Sequence, residues 1–147
     1  MVRPRSRRAA GFSLIELMVV IAIMGLLATV VAVNLMGQTY KAKVVKVQAD
    51  FDAMKKAVDL FKLNVGKYPS KLDDLWQAPG GAKGWNGPYI DADPKDPWGN
   101  SYRYDAPIGG GKPKLTCYGE DGAPSGTGEA QDLTTENILQ VNTNLGN

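Results

Sequence analysis

Histidine is missing from all 147 residues, and cysteine occurs once, at Cys117. Without histidine the chain lacks the commonest general base and the commonest neutral metal ligand. A single cysteine rules out an intrachain disulfide. Acidic residues are missing from the first ten positions, which instead hold Arg3, Arg5, Arg7 and Arg8. Those four arginines carry the basic balance, because the other 13 basic residues face 15 acidic ones. No nucleic-acid partner is expected from so local a charge, and four arginines at one end suit membrane orientation better. Proline and glycine are scarce before residue 65 and frequent after it, which predicts a regular first half and a loop-rich second half. There is no nucleophile motif and no phosphate-binding glycine loop, so an enzyme is not expected. The length suits one domain with or without an anchor.

What the chain does have is one long apolar run. From residue 17 to residue 33 every position is apolar or small except Thr29, and residues 12–36 carry a single charge, Glu16. About 20 helical residues span a bilayer, so 12–36 is predicted to be a transmembrane helix. Ala9-Ala10-Gly11 precedes the run, so cleavage there keeps the helix, unlike the removal of an ordinary secretory signal. Four arginines before the run and Lys41, Lys43 and Lys46 after it favour a cytoplasmic N-terminus by charge.

Beyond the run, Val44, Val47, Phe51, Met54, Val58, Phe61 and Val65 recur at alternating spacings of 3 and 4, which predicts one apolar stripe along a helix. No proline separates this stripe from the apolar run, so one helix over 12–64 is expected, capped at Gly66 and stopped by Pro69. Residues 65–100 combine turn chemistry with Trp76, Trp85, Tyr89 and Trp98, and read as a packed irregular loop. "SYRYDAP" and "KPKLTCY" flank a glycine-rich turn at 108–111 and predict a β-hairpin, with a third short strand after Asp132. Residues 142–147 are expected to be a frayed tail. The acids within 50–60 and 91–96 read as solvated surface.

"GFSLIELMVVIAIMGLL" resembles the class III signal of type IV pilin-like proteins. "KYP", "DPWGNSYRY" and "GEDG" narrow the resemblance to the major pseudopilins of type II secretion, the protein G family of the general secretion pathway. The resemblance covers residues 11–133 and implies an α+β, type IV pilin-like fold. In that fold a long N-terminal helix packs on a small antiparallel sheet beside a long irregular loop. It divides the chain into a leader at 1–11, an assembly helix at 12–36 and a periplasmic domain at 37–147, whose β-region spans 101–141. Such proteins are cut by a prepilin peptidase after a glycine, here Gly11, and methylated on the new N-terminal amine, here Phe12. They then stack from the inner membrane into a short periplasmic homo-oligomeric filament. Implied partners are minor pseudopilins, the inner-membrane assembly platform, the outer-membrane secretin and the exoproteins it passes. The alternative is the major subunit of a type IV pilus, which commonly carries a C-terminal disulfide that one cysteine forbids.

The resemblance also gives Glu16 an assembly role. A charge within lipid costs a few kcal/mol, and in a staggered bundle it meets the Phe12 ammonium of a neighbouring copy. Helical side chains lean toward the N-terminus, so pairing with the amine of its own chain is the competing arrangement. The family often has proline where this chain has Val33, so a proline-induced break in the helix is not expected.

"CYGEDGAPSGTGEAQDL" lacks the spacing of an EF-hand and, by spacing alone, reads as a solvated acidic loop. The resemblance implies a structural Ca²⁺ site instead, built from the Asp121 carboxylate, the carbonyls of Tyr118 and Ala123, and Asp132. Glu129 is the candidate for an aspartate that the family has and this chain lacks. Calcium takes such carboxylate and carbonyl oxygens.

Overall fold

The computed structural model describes the backbone of residues 12–91 and 93–146, and the side chains of these except residues 30–37 and 146. The leader at 1–11, with Gly11, lies outside the described residues. Helix α1 runs Leu14–Val65 and is followed by a 3₁₀ turn at Leu72–Leu75, a second such turn lying later at Gly128–Ala130. Strands β1 (Arg103–Asp105), β2 (Lys114–Cys117) and β3 (Leu133–Thr134) come next, and helix α2 (Ile138–Gly146) ends the chain. The chain divides into two compact units, one ending at Gln38 and the other beginning at Thr39.

In the first unit the apolar side chains from Phe12 to Leu27 are exposed on every face of α1. Its polar position, Thr29, donates its hydroxyl to the Leu26 carbonyl at 2.7 Å, so the helix satisfies it internally. Among the described residues no helix is long and apolar enough to cross a membrane. The expected span, 12–36, runs on through residues whose side chains are not described. The backbone continues as α-helix through Val33, as expected without proline.

In the second unit the predicted stripe is the core. Val44, Val47, Phe51, Met54, Val58 and Phe61 are buried, Ala57 joins them, and Val65 packs at the edge. Gly66 closes α1 at φ +83°, donating its N–H to the Lys62 carbonyl at 2.8 Å, a conformation that glycine adopts at little cost. The three strands form one antiparallel sheet in the order β1-β2-β3, with Tyr104 opposite Leu115 and Cys117 opposite Leu133. Leu115, Cys117 and Leu133 belong to the same buried cluster as the stripe. The hairpin and third strand thus lie where turn chemistry and alternation put them.

The loop after α1 is irregular but packed. The Phe61 and Tyr89 rings meet edge to face at 5.8 Å, as do Trp85 and Tyr89 at 5.9 Å. Trp85 donates Nε1–H to the Asp74 carbonyl at 3.0 Å. A Cβ on Gly87 would stand 2.5 Å from the Trp85 ring, so only glycine lets this indole lie down.

The expectation for the C-terminal segment is corrected. Residues 142–146 are not frayed but belong to α2. Ile138 is buried, Val141 and Leu145 pack against the core, and Asn142 donates to Gln48 of α1 at 2.7 Å. The 3-then-4 spacing of those three apolar residues is the same signal that marked α1, here in a segment only nine residues long.

Candidate functional site

Two adjoining elements hold most of the polar chemistry: the "DPWGN" turn at Asp96–Asn100 and the glycine-rich acidic loop between β2 and β3. The turn lies between Lys95 and Ser101, which form an antiparallel bridge. Asp96 is buried, contrary to its reading as solvated surface. Its Oδ1 accepts the Trp98 N–H at 3.0 Å and the Asn100 N–H at 2.8 Å. Proline at 97 preorganises the turn, and Gly99 takes φ +95°. A buried carboxylate is tolerable because backbone donors surround it.

On the other side of Asp96, Oδ2 accepts the Cys117 thiol at 3.2 Å. Burial pushes the Cys117 thiol up from 9.0 to about 12. The Gly119 N–H works against that shift, and the Asp96 carboxylate adds to it. This cysteine is a buried, protonated donor rather than a nucleophile. Asp50 also departs from the solvated reading, since it accepts the Tyr102 hydroxyl at 2.6 Å and the Lys46 ammonium at 2.7 Å. Burial and that hydrogen bond raise the Tyr102 pKa, so the phenol stays a donor. Asp52, Asp59, Asp91 and Asp93 are exposed, as expected. Asp74 is a further buried acid, with Oδ2 accepting the N–H groups of Ser70 and Lys71 at 2.8 and 3.2 Å.

Asn100 joins the turn to the acidic loop by donating Nδ2–H to the Gly119 carbonyl at 3.0 Å. Across the loop's neck, Glu120 N–H reaches the Glu129 carbonyl at 3.0 Å. The neck is tight: a Cβ on Gly119 would stand 2.6 Å from the Glu129 oxygen, and one on Gly126 would overlap the Ala130 carbonyl. Asp121 Oδ1 accepts the Ala123 N–H at 3.1 Å. Asp132 accepts the Ser125 N–H with both oxygens, at 3.3 and 3.1 Å, and Ser125 has φ +72°.

The expected metal ligands therefore divide. Glu129 points its carboxylate at the Lys43 ammonium, 3.3 Å away, and Lys43 also stands 5.0 Å over the Trp98 ring. Glu129 is thus engaged by Lys43 in this structure. Asp121, Asp132 and the carbonyls of Tyr118 and Ala123 are all loop oxygens of the kind calcium takes. Among the described residues no three histidine, cysteine or acidic side chains converge to hold a metal ion. Any cation here would rely mainly on carbonyls and water. At the other end of the chain, Glu16 lies in the first turn of α1 with an exposed side chain, and Phe12 is exposed just before it.

Asp96, Asn100 and Lys43 were not singled out from sequence. The signal for the first two was the compact "DPWGN", whose turn chemistry requires an acceptor at its first position. Nothing local marked Lys43, whose partner lies 86 residues away.

Comparison with known proteins matches residues 34–136 to the family model for type II secretion system protein G, and residues 6–32 to the prokaryotic N-terminal methylation motif. The type II secretion system core protein G of Vibrio cholerae is 38% identical over 140 residues, 91% of this chain and 96% of that protein. The core protein G of Xanthomonas campestris is 35% identical over 131 residues, 88% of this chain and 92% of that one. The crystal structure of the major pseudopilin from the type 2 secretion system of enterohaemorrhagic Escherichia coli superposes with a TM-score of 0.57 at 31% identity. It covers 69% of this chain and 93% of that chain.

Proposed function

The chain belongs to the type II secretion system protein G family, the major pseudopilins, and from that premise we propose the following working cycle. The precursor is held in the bacterial inner membrane by residues 12–36, with the domain from residue 37 in the periplasm. Prepilin peptidase cuts after Gly11, and the Phe12 amine is methylated. Copies then leave the bilayer and stack as a helical filament, together with minor pseudopilins and on an inner-membrane assembly platform. The growing filament helps to drive folded exoproteins through the outer-membrane secretin. The role is structural, with no turnover of substrate.

The observation that carries this reading is the match to protein G over 34–136, including the turn at Asp96–Asn100. The exposed apolar face from Phe12 to Leu27 supports assembly, because among the described residues none covers it. Within that face Glu16 is assigned to the Phe12 ammonium of a neighbouring copy. A chain-end amine has a pKa of about 7.7–8.0 and is mostly charged at neutral pH. The pair selects one stagger between copies more than it adds raw stability.

The mass of the mature N-terminus tests the pathway. A chain beginning at methylated Phe12 is expected, and a retained leader overturns it. Mixing Glu16→Lys chains with the natural sequence tests the pairing in filaments. Exclusion of the variant is expected, and normal incorporation removes the assembly role.

Calcium belongs to the same reading. Asp121, Asp132 and the carbonyls of Tyr118 and Ala123 would hold it, and when bound it supplies charge neutralisation and cross-linking to a loop with little apolar burial. In support, both aspartates already face the loop's own backbone. Chelation is expected to lower the melting temperature, and an unchanged value removes the site.

A further inference from the structure

The loop from Tyr118 to Asp132 buries almost no apolar side chain, so its order rests on polar links. Two contacts that bear on those links meet at Lys43. The lysine stands one residue before Val44, whose side chain is wholly buried in the core, so its backbone is fixed by packing. Its ammonium lies 3.3 Å from Glu129 Oε2, with the two side chains 27% and 37% exposed. The same ammonium stands 5.0 Å over the Trp98 ring. Trp98 belongs to the turn whose Asn100 holds the Gly119 carbonyl, one side of the loop's neck. Glu129 forms the other side, through its carbonyl to the Glu120 N–H. One cation on α1 thus reaches both flanks of the neck. Lys46, one turn further along, pairs instead with Asp50 of its own helix.

We propose that Lys43 is a tethered cation of the acidic loop. Its ammonium, held over Trp98, gives Glu129 the positive charge that a metal ion would otherwise have to give, and the neck stays closed without metal. The chemistry is specific in two ways. A cation over an indole face is attracted by the ring quadrupole, which prepays part of the cost of holding the lysine in place. A contact across 86 residues also closes a long chain segment. The proposal stands whether or not Asp121 and Asp132 take calcium, because neither faces Lys43.

The test uses the full chain in detergent micelles with excess chelator, reading amide hydrogen exchange residue by residue. Lys43→Gln is expected to speed exchange of the Glu120 and Ala130 amides about 5- to 10-fold, and to leave the Val44–Phe61 amides unchanged. Glu129→Gln should do the same, the double variant should exchange no faster than either single one, and Lys43→Arg should retain protection. Loop exchange in Lys43→Gln equal to that of the natural chain overturns the proposal. So do additive effects of the two substitutions, which would show that the residues act separately. Addition of calcium chloride to each variant separates the two readings. Slowed exchange that Asp121→Asn abolishes supports the metal site. If calcium has no effect in any variant, the metal reading fails while the Lys43 result is judged on the chelated samples alone.

Discussion

The two ends of α1 are made of similar residues and meet opposite fates. Between residues 12 and 27 phenylalanine, leucine, isoleucine, methionine and valine face outward all round the helix. Between Val44 and Phe61 most residues of the same types lie in one stripe and are almost wholly buried, Val45 and Leu60 being half-exposed exceptions, while Lys55, Lys56, Asp59 and Lys62 face water. Intrinsic helix propensity does not separate the two; the number and placement of charged residues do, with one charge between residues 12 and 27 and six between residues 44 and 61, all six off the stripe. A helix apolar on every face calls for a surrounding apolar medium, either lipid or other helices. A striped helix calls for a sheet and loops on one side, and its own chain provides them.

That contrast can be broken most forcefully in the stripe. Phe51→Ala removes a ring that meets Tyr102 edge to face at 5.7 Å, and should cost about 3–5 kcal/mol in chemical denaturation of the full chain. A loss below about 1 kcal/mol would mean that the stripe is not the core. Asp96→Ala comes next. It strips two backbone N–H groups and a buried thiol of their acceptor, and about 2–3 kcal/mol of stability should be lost by the same measurement.

A pH titration of the melting temperature sharpens the picture. Burial raises the Cys117 thiol from 9.0 to about 12 and the Tyr104 hydroxyl from 10.0 to about 12. The folded state therefore holds those protons more tightly than the unfolded chain. Stability should be level below about pH 9 and fall as pH climbs toward 12, with Cys117→Ala removing part of the slope. The smallest effect is expected at the other end of the helix. Ile21→Ala, on the exposed face, should leave denaturation within about 0.5 kcal/mol of the natural chain while weakening its partition into vesicles.

Much of this molecule is legible because its signals are local. Alternate spacings of 3 and 4 located the buried side of α1 from Val44 to Phe61, and glycine-rich turn chemistry located the hairpin. The same rule, applied to Ile138, Val141 and Leu145, would have found α2. It was overlooked because polar asparagines, Asn142 and Asn144, surround those residues, and because short helices owe their existence to packing more than to propensity. The acids show where local reading stops. Asp50 and Asp52 look alike in sequence, yet Asp52 is exposed while Asp50 accepts the Tyr102 hydroxyl and the Lys46 ammonium.

By itself, then, the sequence determined the quantities that depend on neighbours along the chain. These are the extent of the apolar run, the core stripe, the stops at Gly66 and Pro69, the hairpin and the processing motif around Gly11 and Phe12. Only the tertiary structure decided the pairings that close over long separations. Among these are Lys43 with Glu129, Asn100 with Gly119, Cys117 with Asp96 and Gln48 with Asn142. The physical reason is that periodicity and turn preference are written within a few residues. A polar partner is chosen by whichever donor or acceptor the folded backbone brings within about 3 Å once water has been excluded.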